Sequence, residues 1–547
     1  MMSRLTAVIG LGAKVEDVTI IPPLPQSTDC VHGCQTGSDS GDNIYFRTLQ
    51  NLTVQPTTGS FVWNTSQMCP LRRLHVLGNL DVGNFVGGFV DLTSVDNDIL
   101  STKGGDYGGT QQQEYCFRRV SAKASPAERP GQYGFVYVDC NILAAFPAST
   151  TLCMKSPDPI WSPDKSTMGQ NISCTSRRSD ATSPLLGLAD DNKSYTLSIR
   201  GAPATPAVYI KDAGELKATK WMPNTCYLLF PNVYYLDGTL NIDVEGVALV
   251  GLGFPVLRIT PQMPFVPSIS ISGTNCTLAS LIVDAPPASA KQTILIEIQG
   301  ANAEIYDVTC TTNKLDDTSQ VRTDIFLQIE SPQCYLENVW LWRADHWYWG
   351  GFGDVGQDPN NLCAYGLNVT TTAVETTCVG LFVEHPTATP IVWDGEDGAI
   401  YMSQGECAYS SMGTLGPATR LPGHRQGAYL SLGPVKKFQW IGGNVYAIFG
   451  QHSDFQKVAL ELTGTDLSEI VIQNLSIDGW VQGVFDAAVV YQNQCYGPFK
   501  NKQPNYGVII CDLKQFLQYT QSPFVTYDCT PPSILYSSIH RAWGSVE

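Results

Sequence analysis

Short apolar runs punctuate this chain from end to end, each closed by Gly, Pro, Asn, Asp or Ser, and few windows carry the i, i+3, i+4, i+7 spacing of a helix. Val15–Ile21, Phe46–Val54, Ala248–Gly251, Leu278–Val283, Ile294–Ile298, Ile325–Ile329, Val339–Trp342, Gly380–Val383 and Ile470–Ile477 are examples. They recur at roughly 15–25 residues, the rhythm of solenoid rungs that bury one another's apolar faces. The expected fold is therefore all-β, a parallel β-helix in preference to a sandwich. The 49 glycines and 34 prolines among 547 residues supply the turns. Charged residues are only 15%, which excludes a disordered chain or a coiled coil. A net charge of −17 opposes phosphate backbones and anionic lipid, so neither nucleic acid nor a membrane surface is an expected partner. No apolar stretch reaches the roughly 18 residues of a membrane span.

An internal repeat predicts two solenoid lobes. Ala7-Val8-Ile9-Gly10-Leu11-Gly12 precedes Val18-Thr19-Ile20, and Ala248-Leu249-Val250-Gly251-Leu252-Gly253 precedes Leu257-Arg258-Ile259. Downstream of each, Phe46–Val54 echoes Cys276–Val283. The Gly-Leu-Gly pairs lack the third glycine and the acidic residue of a dinucleotide site, so they read as tight turns. Leu5–Ala13 reads as a rung rather than a signal-peptide core, with Met1 internal to a longer precursor. The expected division is an N-terminal lobe over 1–200, a linker over 201–223, a second lobe over 224–490 and a Tyr/Pro/Cys-rich bracing cap over 491–547.

The 17 cysteines are scattered and form no paired zinc-ribbon motif, so they predict disulfides, including a braced C-terminal segment, and an oxidising extracellular location. Cys30, His32 and Cys34 lack a second ligand cluster, and no metal site is expected. Sequons at Asn51, Asn64, Asn171, Asn192, Asn275, Asn368 and Asn474 point to a secreted glycoprotein.

Phe230-Pro231-Asn232-Val233-Tyr234-Tyr235-Leu236 and Val250–Gly253 resemble the entry signature of the pectate-lyase-like (pectin lyase-like) superfamily, which implies a right-handed parallel β-helix. Over most of its length the chain also resembles a family of large secreted microbial β-helix proteins commonly labelled "adenylyl cyclase" or "coagulation factor 5/8 type". Asn51–Val54, Cys69–Val76, Gly87–Phe89, Gln111–Gln113, Leu341–His346, Gly380–His385 and Trp393–Glu396 carry that resemblance. It implies a fold and transfers no catalytic residue. Two such lobes are similar to the paired β-helices of exo-β-1,3-glucanases, at the level of fold. The chain departs from the family pattern at Leu430, where Lys is usual, and at Phe438-Gln439-Trp440, where a His-Glu-Ala-Trp run is usual.

The densest polar cluster comprises Arg343, Asp345, His346, Glu384, His385, Asp394, Glu396 and Glu406. Aligning Leu341–His346, Tyr365–Thr370, Gly380–His385 and Ile400–Glu406 as successive rungs puts Asp345 about 9.6 Å from Glu384, and Glu384 about 5 Å from Glu406. These separations bracket the inverting and retaining glycosidase geometries, about 6.5–9.5 Å and 5–5.5 Å. Asp345, Glu384 and Glu406 are thus the candidate catalytic carboxyls. Trp347, Tyr348, Trp349 and Trp393, with Arg343, His346 and His385, are the candidate carbohydrate contacts, since sugar rings stack on aromatic faces. Trp340 and Trp342 share a face that reads as core. A calcium-dependent lyase is the other chemistry, with Asp394, Glu396 and Asp397 as ligands and Arg343 as base. Packing is the third reading: acids at strand ends bond turn amides, and Arg343 pairs with Asp345 or Glu384.

Two functions remain open. One is an extracellular glycoprotein that binds or processes a polysaccharide, needing no cofactor. The other is a structural protomer that self-associates into a fibre or surface layer. A solvent-lined groove holding the carboxyls favours the first; their burial, with a large apolar patch elsewhere, favours the second.

Overall fold

The structure, a computed structural model, describes residues 6–10, 15–21, 45–63, 65, 67–82, 88–100, 115–124, 135–138, 140–142, 171–172, 189–190, 195–197, 205–260, 267–285, 294–312, 321–344, 361–408, 421, 427–447, 458–479, 485, 487–492, 494–497, 506–510 and 512–520.

Two stacks of parallel strands account for most of them. The first lobe has an eleven-stranded sheet and a three-stranded companion. In the larger sheet Thr6–Ile9, Arg47–Val54, Leu71–Val76, Gly88–Asp91, Tyr115–Arg118 and Phe135–Val138 pair in parallel, in that order. The second lobe has a thirteen-stranded and a ten-stranded sheet, and consecutive long strands alternate between them. This is a parallel β-helix, in which each coil lends one strand to each face.

The second solenoid begins inside the segment read as linker. Val208–Ile210 pairs in parallel with Cys226–Leu229. The helix Ala213–Ala218 follows, with Asp212 Oδ1 accepting from the Glu215 amide at 2.9 Å and Leu216 buried in the core. At the other end the direction reverses. Tyr506–Ile510 pairs antiparallel with Glu469–Gly479, and Gln494–Tyr496 antiparallel with Ala487–Tyr491. The helix Leu513–Thr520 adds Leu513, Phe516 and Leu517 to the core. Both ends of the stack are thereby covered, as an open solenoid end requires.

Left-handed residues bend successive rungs of the larger sheet in each lobe. In the second lobe Ser280, Asp307, Asn338, Gly380 and Met402 stack at that bend, with φ of 55°, 52°, 52°, 70° and 59°. In the first lobe Asn51, Arg73, Leu92 and Arg119 do the same, with φ of 48–53°. The repeat read from sequence superimposes these bends. A Cβ on Gly10 would lie 1.9 Å from the Asn51 carbonyl oxygen, and one on Gly251 2.1 Å from that of Ser280. Each copy therefore needs glycine where it crosses the next rung's bend.

The lobes dock bend to bend. Met68, Phe89 and Cys116 of the first lobe share one apolar cluster with Val250, Tyr306 and Phe382 of the second. At its centre is a buried ionic network. Arg72 reaches Asp307 through Nε and Nη2, at 2.7 and 2.8 Å, and Nη1 is 2.5 Å from Glu337 and 3.2 Å from Asp91. Arg118 also bonds Glu337 and the Tyr335 hydroxyl, and Arg119 closes on Asp91 at 2.6 Å. Three cations thus face three anions. Burial opposes the Arg72 charge, but Asp307 and Asp91 beside it more than offset this and hold its pKa above the ordinary value.

The cysteine reading is corrected. Cys69, Cys116, Cys140, Cys226, Cys276, Cys310, Cys334, Cys363, Cys378 and Cys407 are buried thiols. Among the described cysteines Cys495 is in a disulfide, and a disulfide-braced tail beyond it is not supported. Cysteine is small and apolar enough to fill a rung, which its count in a sequence does not reveal. Two sequons are also removed as acceptors in the folded chain. Asn51 is buried and donates to the Gly10 carbonyl at 2.7 Å, and Asn368 is buried and donates to Gln328 at 3.1 Å. Asn275 is exposed, with its amide on Glu245. Asn64 and Asn192 lie outside the described residues.

Candidate active site

Beyond the bend, two rows of side chains point outward from the larger sheet of the second lobe toward the first. One row runs Trp340, Phe382, Gln404, Asn444 and Ser476; the other runs Trp342, Glu384, Glu406 and Tyr446. The early rungs are aromatic. Trp340 and Trp342 stack at 4.5 Å and 10°, and Tyr45 of the first lobe covers both. The later rungs are polar, and the strand Phe135–Val138 of the first lobe lies against them.

Glu384 and Glu406 are direct partners on adjacent rungs, as the sequence alignment placed them. The rest of that alignment is corrected. Tyr365–Thr370, taken as an intervening rung, falls on the strand Asn361–Val369 of the other sheet, because each coil alternates faces. Trp342 is therefore the residue opposite Glu384 on the adjoining rung. Asp345 and His346 lie outside the described residues, as do Trp347, Tyr348 and Trp349.

Both carboxyls are buried, at 3% and 6% exposure. Glu384 Oε1 accepts from Gln67 of the first lobe and Oε2 from the Trp340 indole, each at 2.8 Å. Burial pushes the Glu384 carboxyl above its ordinary value, and the charge of Glu406 adds to this. His385 and donors from the Gln404 and Trp340 side chains work the other way. Glu406 is held from one side only. Its Oε2 accepts from the Tyr446 hydroxyl at 3.1 Å and lies 3.2 Å from His385 Nε2. Its Oε1 is buried with no hydrogen-bond partner among the described residues. The charge of Glu406 on the adjacent rung thus adds to burial in favouring the protonated form of Glu384.

The other candidates take structural places. Arg343 is fully buried and spans the coil, donating to the Asn361 and His385 carbonyls at 2.7 and 3.3 Å. It acts as a backbone strut, which removes it as a lyase base or sugar contact. His385 is buried at a left-handed turn, φ 66°, and serves Glu406. Trp393 is in the core against Phe438, with its indole on the Gly395 carbonyl, so it offers no face to a sugar. Glu396 accepts from the Lys436 and Lys437 amides, and Asp397 pairs with the Lys437 ammonium. These acids are spent on a turn. Among the described residues no group of three or more His, Cys, Asp and Glu side chains is placed to hold a metal ion.

Sequence reasoning missed Gln67, Gln404, Asn444 and Tyr446. Polar amides and a lone tyrosine carry no motif, and Gln67 is 317 positions from the carboxylate it grips.

This geometry can be set beside known proteins. Residues 223–406 match the LAM55 pectate lyase-like domain. An exo-β-1,3-glucanase from Streptomyces sp. (strain SirexAA-E / ActE) is 24% identical over 430 residues, covering 74% of this chain and 64% of that protein. The chain therefore spans less than two thirds of that relative's length. The solved structure of sacteLam55A from Streptomyces sp. SirexAA-E superimposes with a TM-score of 0.67 at 18% identity, over 93% of this chain and 89% of that one. A variant of the same protein in complex with glucose gives 0.64 at 17% identity, over 92% and 88%. These likenesses establish a β-helix, pectate-lyase-like fold. The cyclase and coagulation-factor labels have no counterpart among these relatives.

Proposed function

We propose that this protein is an exo-acting glycoside hydrolase of β-1,3-glucan, with Glu384 and Glu406 as its working carboxyls. The observation that carries this reading is Glu406 Oε1, a buried carboxyl oxygen without a protein partner beside a second carboxyl of raised pKa. A carboxyl whose ionisation is opposed by burial and by a neighbouring carboxylate can act as a general acid. The proton passes through Oε1 to the glycosidic oxygen as the C1–O bond breaks. Water supplies the hydroxyl at C1 and the proton that restores the acid.

Enclosure by the first lobe suits attack at a chain end, since a chain interior would need an open groove. The glucan class comes from the similarity to an exo-β-1,3-glucanase. Asp345, His346, Trp347, Tyr348 and Trp349 follow the strand that ends beside Glu384, and the proposal includes them as contacts to the sugar. Extracellular location belongs to the same proposal, because an intact polysaccharide does not cross a cell membrane.

Burial of the carboxyls is also half of what a structural protomer requires. The large apolar side chains exposed among the described residues are Ile21, Tyr209, Met222, Phe230 and Tyr235. The apolar outer face of the second solenoid is used in docking its own first lobe, which favours the enzyme.

The test is glucose release from a β-1,3-glucan. Glu406→Gln and Glu384→Gln are each expected to lower kcat by about 10²–10⁴-fold. Wild-type turnover by Glu406→Gln would refute the assignment, and Asp345→Asn measures that residue's share.

A further inference from the structure

Asn444 is fully buried, and neither its amide oxygen nor its amide nitrogen has a hydrogen-bond partner among the described residues. Buried amides are almost always satisfied, so an amide with both ends unspent marks a place where something else binds. Its position is not an accident of loose packing. Gly442 and Gly443 precede it with φ of 77° and 147°. A Cβ on Gly443 would lie 2.4 Å from the Ser403 carbonyl oxygen. Two glycines therefore bend the strand hard against its neighbour and set Asn444 in the outward row.

Its surroundings are already paired with one another. Gln404, its partner on the adjoining rung, donates to the Tyr446 hydroxyl at 3.0 Å, and that hydroxyl donates to Glu406 Oε2 at 3.1 Å. On these polar rungs the Asn444 amide and Glu406 Oε1 have no hydrogen-bond partner among the described residues. An amide offers one acceptor and one donor side by side in a plane. Two hydroxyls on adjacent ring carbons, both equatorial, present the complementary pair: one donates to the carbonyl, the other accepts from the NH2.

We propose that Asn444 is a specificity-determining residue that grips two adjacent equatorial hydroxyls of the pyranose unit bound beside Glu406. This deepens the hydrolase reading and rests on it for the placement of the sugar. A site that hydrogen-bonds a hydroxyl rejects analogues lacking it far more strongly than a shaped apolar wall does.

The test is a coupling cycle on binding. Calorimetry of glucose and its singly deoxygenated analogues would be run with the wild type, Asn444→Ala and the near-isosteric Asn444→Asp, each checked for folding by circular dichroism. Glucose affinity is expected to fall at least 10-fold in both variants. Deoxygenation at two adjacent carbons should weaken binding to the wild type and have little further effect on Asn444→Ala. Equal penalties in wild type and variant at every position would overturn the proposal, because Asn444 would then touch no sugar. Absence of glucose binding by the wild type overturns it too. Intact coupling in a protein that releases no glucose from glucan would keep this proposal and sink the hydrolase reading.

Discussion

Arg72 of the first solenoid forms a two-point ion pair with Asp307 of the second, Nε–Oδ2 2.7 Å and Nη2–Oδ1 2.8 Å, with both side chains buried. Asp307 occupies the left-handed bend of its strand, and Arg72 immediately precedes the bend of its own. The lobes thus meet through the two positions where their strands change direction. Removing one member of such a pair leaves the other's charge stranded in a dry interface, at a cost of about 3–5 kcal/mol. Arg72→Met should lower the denaturant midpoint accordingly. Arg72→Met with Asp307→Leu should recover part of the loss. A single variant within about 1 kcal/mol of wild type would mean that the network does not hold the lobes together.

Glu384 predicts a pH dependence of definite sign. Its folded pKa is above the unfolded value, by burial first and by Glu406 second. As pH rises, the unfolded chain releases this proton first, at about pH 4.3. Stability from this group is therefore complete below that pH and drains as pH rises through the folded value. Glu384→Gln should match wild type most closely in acid and gain on it in Tm towards pH 8. An offset that stays constant across the range would contradict the raised pKa.

Gly380 lets the lobes approach. It sits at the strand bend with φ 70°, and a Cβ there would lie 2.9 Å from the Phe89 ring of the first lobe. Gly380→Ala should destabilise by about 1–2 kcal/mol from the left-handed backbone alone, with the ring contact adding to it. Phe89→Leu in the same chain should return the contact's part. If Phe89→Leu is equally costly with Gly or Ala at 380, the ring contact plays no part.

The cysteines give a direct chemical check. Burial pushes the Cys69 and Cys226 thiols up to about 12 and Cys276 up to about 11. A thiol reagent should leave these three untouched in the native protein at pH 8 and label them in denaturant. A reductant should not change the labelling of these three, since none of them is in a disulfide. Rapid native labelling of Cys276 would show that its rung opens.

How much of this was legible beforehand differs by level. The rung rhythm, the parallel β-helix, the duplication and the adjacency of Glu384 and Glu406 follow from local pattern, since apolar runs and turn residues report the strands that own them. Gly10 and Gly251 show this: the same short motif recurs because the same carbonyl crosses it. The reading of Arg343, Trp393 and the cysteines failed for one reason. A charged, aromatic or thiol side chain has the same letter whether it faces solvent, ligand or core.

The sequence alone determined that the chain stacks into coils, because burying alternate faces of short strands is a local demand met by neighbouring rungs. Only the tertiary structure decided what the outer faces do. Gln67 meets Glu384, and Arg72 meets Asp307, across 317 and 235 positions of chain. No periodicity encodes that distance. The register between two separate solenoids is set by the shape and charge of assembled surfaces, which exist only after both have folded.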